Sequence, residues 1–239
     1  MTAGFDDNQS LKNEFKFDLK STILMTTTEI NQKIVQSGVI AILRSHSTEN
    51  FLKASEVLIE NGITAIEVTL TTPGALQILG ELAREFQGKI LLGIGSVLNE
   101  EQVKQSVDAG ACYIITPVVR PQVIAYCQQN KISLCTGAYS PTEAQNAFEM
   151  GSDFIKIFPA ETLGIKYIKG LLAPLPHLPL IPTGGVDQHN AADFIRAGCK
   201  AVGAGSSLVS QEILQNQDWK KLSELAQIFS KNIANARIK

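Results

Sequence analysis

In the run Asp153-Phe154-Ile155-Lys156-Ile157-Phe158-Pro159-Ala160, a single lysine stands among apolar residues. A pleated strand alternates its faces, so Phe154, Lys156 and Phe158 share one side and Ile155 and Ile157 the other. Burying a lysine among large apolar groups disfavours its ammonium form. The neutral amine attacks carbonyl carbons and forms a Schiff base. The same placement also suits a lysine that snorkels to the surface or closes an ion pair. A second group of interest is Glu67, between Ile66 and Val68 and on the same strand face as Ala65 and Thr69. Those small neighbours leave room for a carboxylate beside an amine. A core salt bridge is the structural alternative, but a buried pair is expensive and is weak evidence for stability. Two glycine turns complete the set: Thr183-Gly184-Gly185-Val186, with Asp187 as a cap, and Gly205-Ser206-Ser207. Such turns are either ordinary tight connections or cradles whose backbone N–H groups bind phosphate. An imine-forming amine, a carboxylate and an anion cradle together imply a phosphorylated or carboxylated carbonyl substrate.

The elements that must position these groups recur at a regular spacing. Strand-like apolar runs occur at 39–43, 65–70, 90–94, 112–116, 132–136, 153–157, 178–182 and 200–204. Amphipathic stretches lie between them, such as Phe51, Ala54, Leu58 and Ile59 on one helical face. A short helical pattern also covers Glu29 to Gln36. Ser47-Thr48-Glu49, Asn99 and Ser140-Pro141-Thr142-Glu143 are start signals, and Gly62, Gly110, Gly151 and Gly198 are stop signals. Eight strand–helix units predict an α/β fold, a single (β/α)8 TIM barrel. The alternative is an open doubly wound sheet, but no Gly-x-Gly-x-x-Gly follows any strand. Pro179 and Pro182 weaken the seventh run. Barrel chemistry gathers at the C-terminal ends of strands, which adds Arg44 after the first strand, Ser96 after the third and Thr116-Pro117 after the fourth.

The chain has 239 residues and a net charge of −2, without the basic footprint of a nucleic-acid binder. No apolar run approaches the roughly 20 residues of a membrane span, and no secretory signal opens the sequence. A cytoplasmic protein with no nucleic-acid or membrane partner is expected. Cys112, Cys127, Cys135 and Cys199 lack the spacings of zinc sites, and His46, His177 and His189 are scattered, so no metal is expected. Residues 1–28 are polar and mixed, and are expected to form a flexible N-terminal extension to a barrel spanning 29–239.

Taken in order, the motifs resemble the 2-keto-3-deoxy-6-phosphogluconate aldolase family and its 4-hydroxy-2-oxoglutarate and 2-keto-3-deoxy-6-phosphogalactonate aldolase relatives. The matching pieces are Ile40-Ala41-Ile42-Leu43-Arg44, Ile66-Glu67-Val68-Thr69-Leu70, Gly93-Ile94-Gly95-Ser96-Val97-Leu98 and Thr116-Pro117. They continue through Ser140-Pro141-Thr142-Glu143, Lys156-Ile157-Phe158-Pro159-Ala160-Glu161, Pro182-Thr183-Gly184-Gly185-Val186 and Gly203-Ala204-Gly205-Ser206. The resemblance implies a class I aldolase, a homotrimer acting on a small 2-keto acid, with no cofactor beyond a covalent lysine imine. It makes Lys156 the Schiff-base lysine, Glu67 the general acid and base, and Arg44 the ligand of the substrate carboxylate. Thr69, Ser96, Pro117 and Phe158 become pocket positions, and Thr183, Gly184, Gly185, Gly205 and Ser206 the phosphate site. The implied reaction cleaves 2-keto-3-deoxy-6-phosphogluconate to pyruvate and glyceraldehyde 3-phosphate. The alternatives are the phosphogalactonate isomer, or 4-hydroxy-2-oxoglutarate giving pyruvate and glyoxylate. More distant is a phosphate-binding barrel isomerase or epimerase without an imine. Thr71 stands where some members have arginine, which leaves Arg44 alone for the carboxylate. Val118 and Tyr139 also depart from the usual pattern and are expected to narrow the pocket mouth.

Overall fold

Strands and helices alternate along the chain in the expected order. The structure, a computed structural model, describes residues 25–238. The elements are α1 (Thr27–Ser37), β1 (Val39–Leu43), α2 (Phe51–Glu60), β2 (Ala65–Thr69), α3 (Ala75–Glu85) and β3 (Leu91–Gly95). They continue with α4 (Glu100–Asp108), β4 (Tyr113–Thr116), α5 (Pro121–Gln129), β5 (Ser133–Ala138), α6 (Pro141–Glu149) and β6 (Phe154–Ile157). The chain ends with α7 (Ala160–Leu172), β7 (Leu180–Pro182), α8 (Ala191–Arg196), β8 (Val202–Ala204), α9 (Gln211–Asn216) and α10 (Trp219–Arg237).

All eight strands are parallel, in the order β7-β6-β5-β4-β3-β2-β1-β8. A parallel bridge between Thr183 and Gly203 joins the two ends of that sheet into a barrel. A Cβ on Gly203 would lie 2.4 Å from Thr183 Oγ1, so the seam closes only around a glycine. β7 keeps only three residues of its expected run, beginning just after Pro179, which lacks the N–H that a longer ladder needs.

Two apolar clusters follow from strand alternation. One fills the shell between barrel and helices and includes Ile66, Val68, Ile155 and Ile157. The other lies inside the barrel and includes Ile40, Ala65, Leu91, Tyr113 and Phe154. Ile30 and Ile34 of α1 join the inner cluster and stop the N-terminal end of the barrel. α1 starts with a Thr26–Glu29 capping box and lies two residues ahead of the boundary expected at 29. Residues 1–24 of the expected extension lie outside the described residues. The Asn31 side chain fixes α1 to the barrel. Its Nδ2 donates to Asp153 Oδ1 at 2.7 Å, and its Oδ1 accepts from Ser133 Oγ at 2.6 Å.

Asn99 and Ser140 cap α4 and α6 as expected, and the four stop-signal glycines each follow a helix C-cap with positive φ. α2 departs from expectation. Its N-cap is Asn50, which makes no side-chain cap, while the Ser47 hydroxyl accepts from Glu49 N–H in the preceding turn.

Candidate active site

β6 carries Lys156 on its inward face, paired with Gly137 of β5 and Ile181 of β7. Its relative exposure is 8 %, and its Nζ lies 5.0 Å from the centre of the Phe158 ring. β2 carries Glu67 on the same interior, at 2 % exposure. A Cβ on Gly95 would fall 1.7 Å from Glu67 Oε1, so the carboxyl occupies space that only a glycine on β3 leaves free. Burial pushes the Glu67 carboxyl above its usual range, and the charge of Lys156 pulls it partly back. The two side chains sense each other without joining. Among the described residues the ion pairs are Lys53–Glu56 and Arg196–Asp193, both on the surface. An acid and an amine held apart inside a barrel leave room for a reacting carbon and its oxygen between them.

Both groups open into a cavity of about 590 Å³ at the C-terminal ends of the strands. Arg44, Glu67, Thr69, Pro117, Lys156, Phe158, Thr183, Gly184, Gly185, Gly205 and Ser206 all line it. The structure thus gathers residues from six of the eight strand ends, those of β1, β2, β4, β6, β7 and β8. Among the expected site residues Ser96 is the exception and does not line the cavity. The inward positions of β3 are Leu91, Gly93 and Gly95, and Ser96, the next residue, leaves the strand conformation with φ 66°. Strand alternation alone carries that signal. Val118 and Tyr139 are exposed, at 44 % and 46 %, and are not part of the cavity lining. Thr71 does line it, together with Ser45, His46 and Gln211, which sequence reasoning had not assigned to the site. Ser45 and His46 follow directly from Arg44, so the length of that loop was their available signal.

Arg44 is exposed at the end of β1 and forms no ion pair among the described residues. The loops around it are tied by hydroxyls. Thr69 Oγ1 lies 3.2 Å from the hydroxyls of both Thr71 and Thr72, and Thr72 Oγ1 accepts from Ser45 N–H.

The opposite wall is built from the turns after β7 and β8. Gly184 and Gly185 adopt φ of 90° and 69°, a conformation other residues rarely hold. The N–H groups of Gly184, Gly185, Ser206 and Ser207 donate to no carbonyl or side chain among the described residues. Asp187 Oδ1 accepts from the N–H groups of His189 and Asn190, and Asn190 Nδ2 donates to the Gly185 carbonyl. The Ser207 hydroxyl donates to the Val186 carbonyl and locks the two turns together. Four unpaired donors on rigid backbone are suited to an anion.

Among the described residues no group of three or more His, Cys, Asp or Glu side chains could hold a metal ion. All four cysteines are unpaired, with Cys127, Cys135 and Cys199 buried. No helix of the described residues is long and apolar enough to cross a membrane.

Comparison with known proteins agrees with this geometry. Residues 30–225 match the family model described as KDPG and KHG aldolase. The chain is 29 % identical over 201 residues to the 2-dehydro-3-deoxy-phosphogluconate aldolase of Haemophilus influenzae, covering 84 % of this chain and 94 % of that one. It is 36 % identical over 170 residues to the 2-dehydro-3-deoxy-6-phosphogalactonate aldolase of Escherichia coli, covering 71 % and 83 %. A solved KDPG aldolase from Legionella pneumophila, with pyruvate captured at low pH as a covalent carbinolamine intermediate, is also similar. It has a TM-score of 0.77 and 30 % identity, covering 83 % of this chain and 96 % of that one.

Proposed function

The chain belongs to the KDPG and KHG aldolase family, and from that premise we propose that it cleaves 2-keto-3-deoxy-6-phosphogluconate through an imine on Lys156. The observation that supports the phosphorylated substrate is the set of four backbone N–H groups, without partners among the described residues, on residues that line the same cavity as Lys156. The phosphate binds there, with Thr183 and the Ser206 hydroxyl beside it. The substrate carboxylate pairs with Arg44, and Thr69, Pro117 and Phe158 shape the space between.

The amine of Lys156 adds to the C2 ketone and gives a carbinolamine. Glu67 donates the proton with which its hydroxyl leaves as water, and the protonated imine remains. The Glu67 carboxylate then takes the proton of the C4 hydroxyl, and the C3–C4 bond breaks. Its electrons form the enamine and neutralise the imine nitrogen, while C4 leaves as the aldehyde of glyceraldehyde 3-phosphate. Protonation at C3 and hydrolysis release pyruvate and restore the lysine. No external cofactor enters this sequence. General acid–base assistance of this kind is worth ~10²–10⁴-fold.

The 36 % identity to a phosphogalactonate aldolase supports a second reading, in which the C4 epimer is the substrate. The family description also includes 4-hydroxy-2-oxoglutarate, whose cleavage gives glyoxylate and makes no use of the anion cradle. The test is borohydride reduction in the presence of pyruvate, followed by mass spectrometry, and then relative rates on the three substrates. A reduced adduct on Lys156 is expected. Its absence, or full activity in Lys156→Ala, would overturn the mechanism, and a faster rate with the unphosphorylated substrate would overturn the assignment of the cradle.

The same reading makes the enzyme a cytoplasmic homotrimer, consistent with unpaired cysteines and with exposed Leu98, Val118 and Tyr139 after β3, β4 and β5. Those three form an apolar rim for a second copy to cover, and sedimentation at micromolar concentration would report the assembly.

A further inference from the structure

Tyr113 is a buried phenol that the chemistry above does not use. It enters the barrel from β4, where it pairs with Gly93 of β3, the same residue that pairs with Glu67 from the other side. A Cβ on Gly93 would lie 2.2 Å from Tyr113 Cε2 and 2.3 Å from its Cζ. The outer edge of the ring therefore fills the place of the missing side chain. Glu67 does the same from β2, with its Oε1 in the place of a Gly95 side chain. Gly93 and Gly95 are successive inward positions of one strand, about 6.6 Å apart. Phenol and carboxyl thus converge over one pair of glycines, the phenol toward the barrel floor and the carboxyl toward the mouth.

Tyr113 is 1 % exposed, and its hydroxyl has no hydrogen-bond partner among the described residues. A buried hydroxyl without an acceptor is destabilising, and phenylalanine would avoid that cost. The surrounding residues Ile40, Leu91 and Phe154 offer no acceptor in their side chains. The titratable groups around the phenol are Glu67 from β2, Cys135 from β5 and Cys112 beside it in the chain, and Lys156 from β6 acts on Glu67 and Cys135. Burial pushes both thiols up, so they stay protonated and are weak acceptors. Burial, with Glu67 as the next cause, also holds the Tyr113 phenol well above its usual range, so it remains a donor.

We propose that Tyr113 is a positioning residue for Glu67: its O–H donates through one water to the ionised carboxylate and holds that carboxylate ready beneath the substrate. This rests on the reading of Glu67 as the acid–base group. The contact stabilises the ionised form against burial and fixes one rotamer of a side chain that must exchange protons at two stages.

The test is Tyr113→Phe, which deletes only the hydroxyl. Carbon-13 NMR of carboxyl-labelled glutamate, with the Glu67 signal assigned by its loss in Glu67→Gln, reads the contact in the resting protein without turnover. The Glu67 midpoint should move upward in Tyr113→Phe, and the acidic limb of kcat/KM should move with it. The value of kcat should fall roughly tenfold, as for a lost hydrogen bond to a charged group, with KM unchanged. In a Glu67→Gln background the same substitution should cost nothing further. If Tyr113→Phe does not fold, site-specific 3-fluorotyrosine at position 113, a stronger donor, should move the midpoint downward. An unmoved Glu67 midpoint makes Tyr113 a packing residue only and overturns the proposal, whether or not the wild type turns over. A moved midpoint without a pyruvate adduct on Lys156 supports the contact and instead sinks the aldolase reading.

Discussion

The two ends of the barrel are closed by the same eight strands and differ in what they leave unpaired. At the N-terminal end, Ile30 and Ile34 plug the interior, and Asn31, Ser133 and Asp153 satisfy one another. Asp153 also accepts from the Leu134 N–H at 2.9 Å. At the C-terminal end, among the described residues, Lys156, Glu67 and Arg44 make no ion pair, and the glycine turns hold four N–H groups without acceptors. Buried polar groups ordinarily find partners within the fold. Where they do not, a ligand supplies the missing partner, so the floor holds the fold together and the mouth gives up stability for chemistry.

The comparison breaks first at Lys156. Lys156→Ala should abolish the reducible pyruvate adduct and lower kcat by more than the ~10²–10⁴-fold that acid–base assistance alone supplies. Its denaturation midpoint should hold or rise, since a buried amine is replaced by an apolar group. A variant that loses its fold instead would make Lys156 a structural residue and erase the distinction between the two ends.

Glu67→Gln should lower kcat by ~10²–10⁴-fold while still allowing slow adduct formation. In the proposed mechanism the carboxylate must accept the C4 proton, so the wild-type rate should fall as pH drops through the Glu67 midpoint. Burial raises that midpoint more than Lys156 lowers it, so the limb should stand above the usual carboxylate range and vanish in Glu67→Gln. The same shift has a stability consequence. A carboxyl whose folded value is raised adds stability that is complete below its unfolded value and is lost as pH rises through the folded one. Melting temperatures should therefore shift in favour of Glu67→Gln as pH rises across that window, and a constant difference would mean that Glu67 is not held in a costly site.

Much of this contrast was legible in the sequence, because strand alternation needs only neighbouring residues. It put Lys156 with Phe154 and Phe158, and Glu67 with Ala65 and Thr69, on the faces the barrel turns inward. The position of Lys156 and Glu67 toward the mouth followed from the eightfold repeat. What stayed hidden depends on register between strands and on contacts far apart in the chain. Asn31 and Asp153 are 122 residues apart, and nothing in either neighbourhood announces the other. Tyr113 looked like one more apolar strand residue until its pairing with Gly93 showed whose vacant space it fills. Ser96 follows the last inward residue of β3 and does not line the cavity that its motif likeness points to, and α2 begins without the side-chain cap its leading residues suggest.

Ile34→Ala tests the floor. Truncating an isoleucine in a closed apolar site costs about 2–5 kcal/mol, and a shift of that size is expected in the denaturant midpoint. Activity per folded molecule should be unchanged well below the transition. A variant with an unshifted midpoint and altered KM would mean that the floor communicates with the site rather than merely supporting it.

Ser206→Ala sharpens the mouth at its weakest point. The Ser206 side chain is exposed after β8, beside backbone donors that do not depend on its hydroxyl. Losing one donor of several, in contact with solvent, should cost about 1 kcal/mol, roughly fivefold in KM for a phosphorylated substrate. The same substitution should leave KM for 4-hydroxy-2-oxoglutarate untouched, since that substrate carries no phosphate to reach the turn. An equal effect on both would show that Ser206 acts on the shape of the pocket and not on an anion. No effect on either would leave recognition to the backbone N–H groups of Gly184, Gly185, Ser206 and Ser207, which no side-chain substitution removes and which only a change in the turn itself could test.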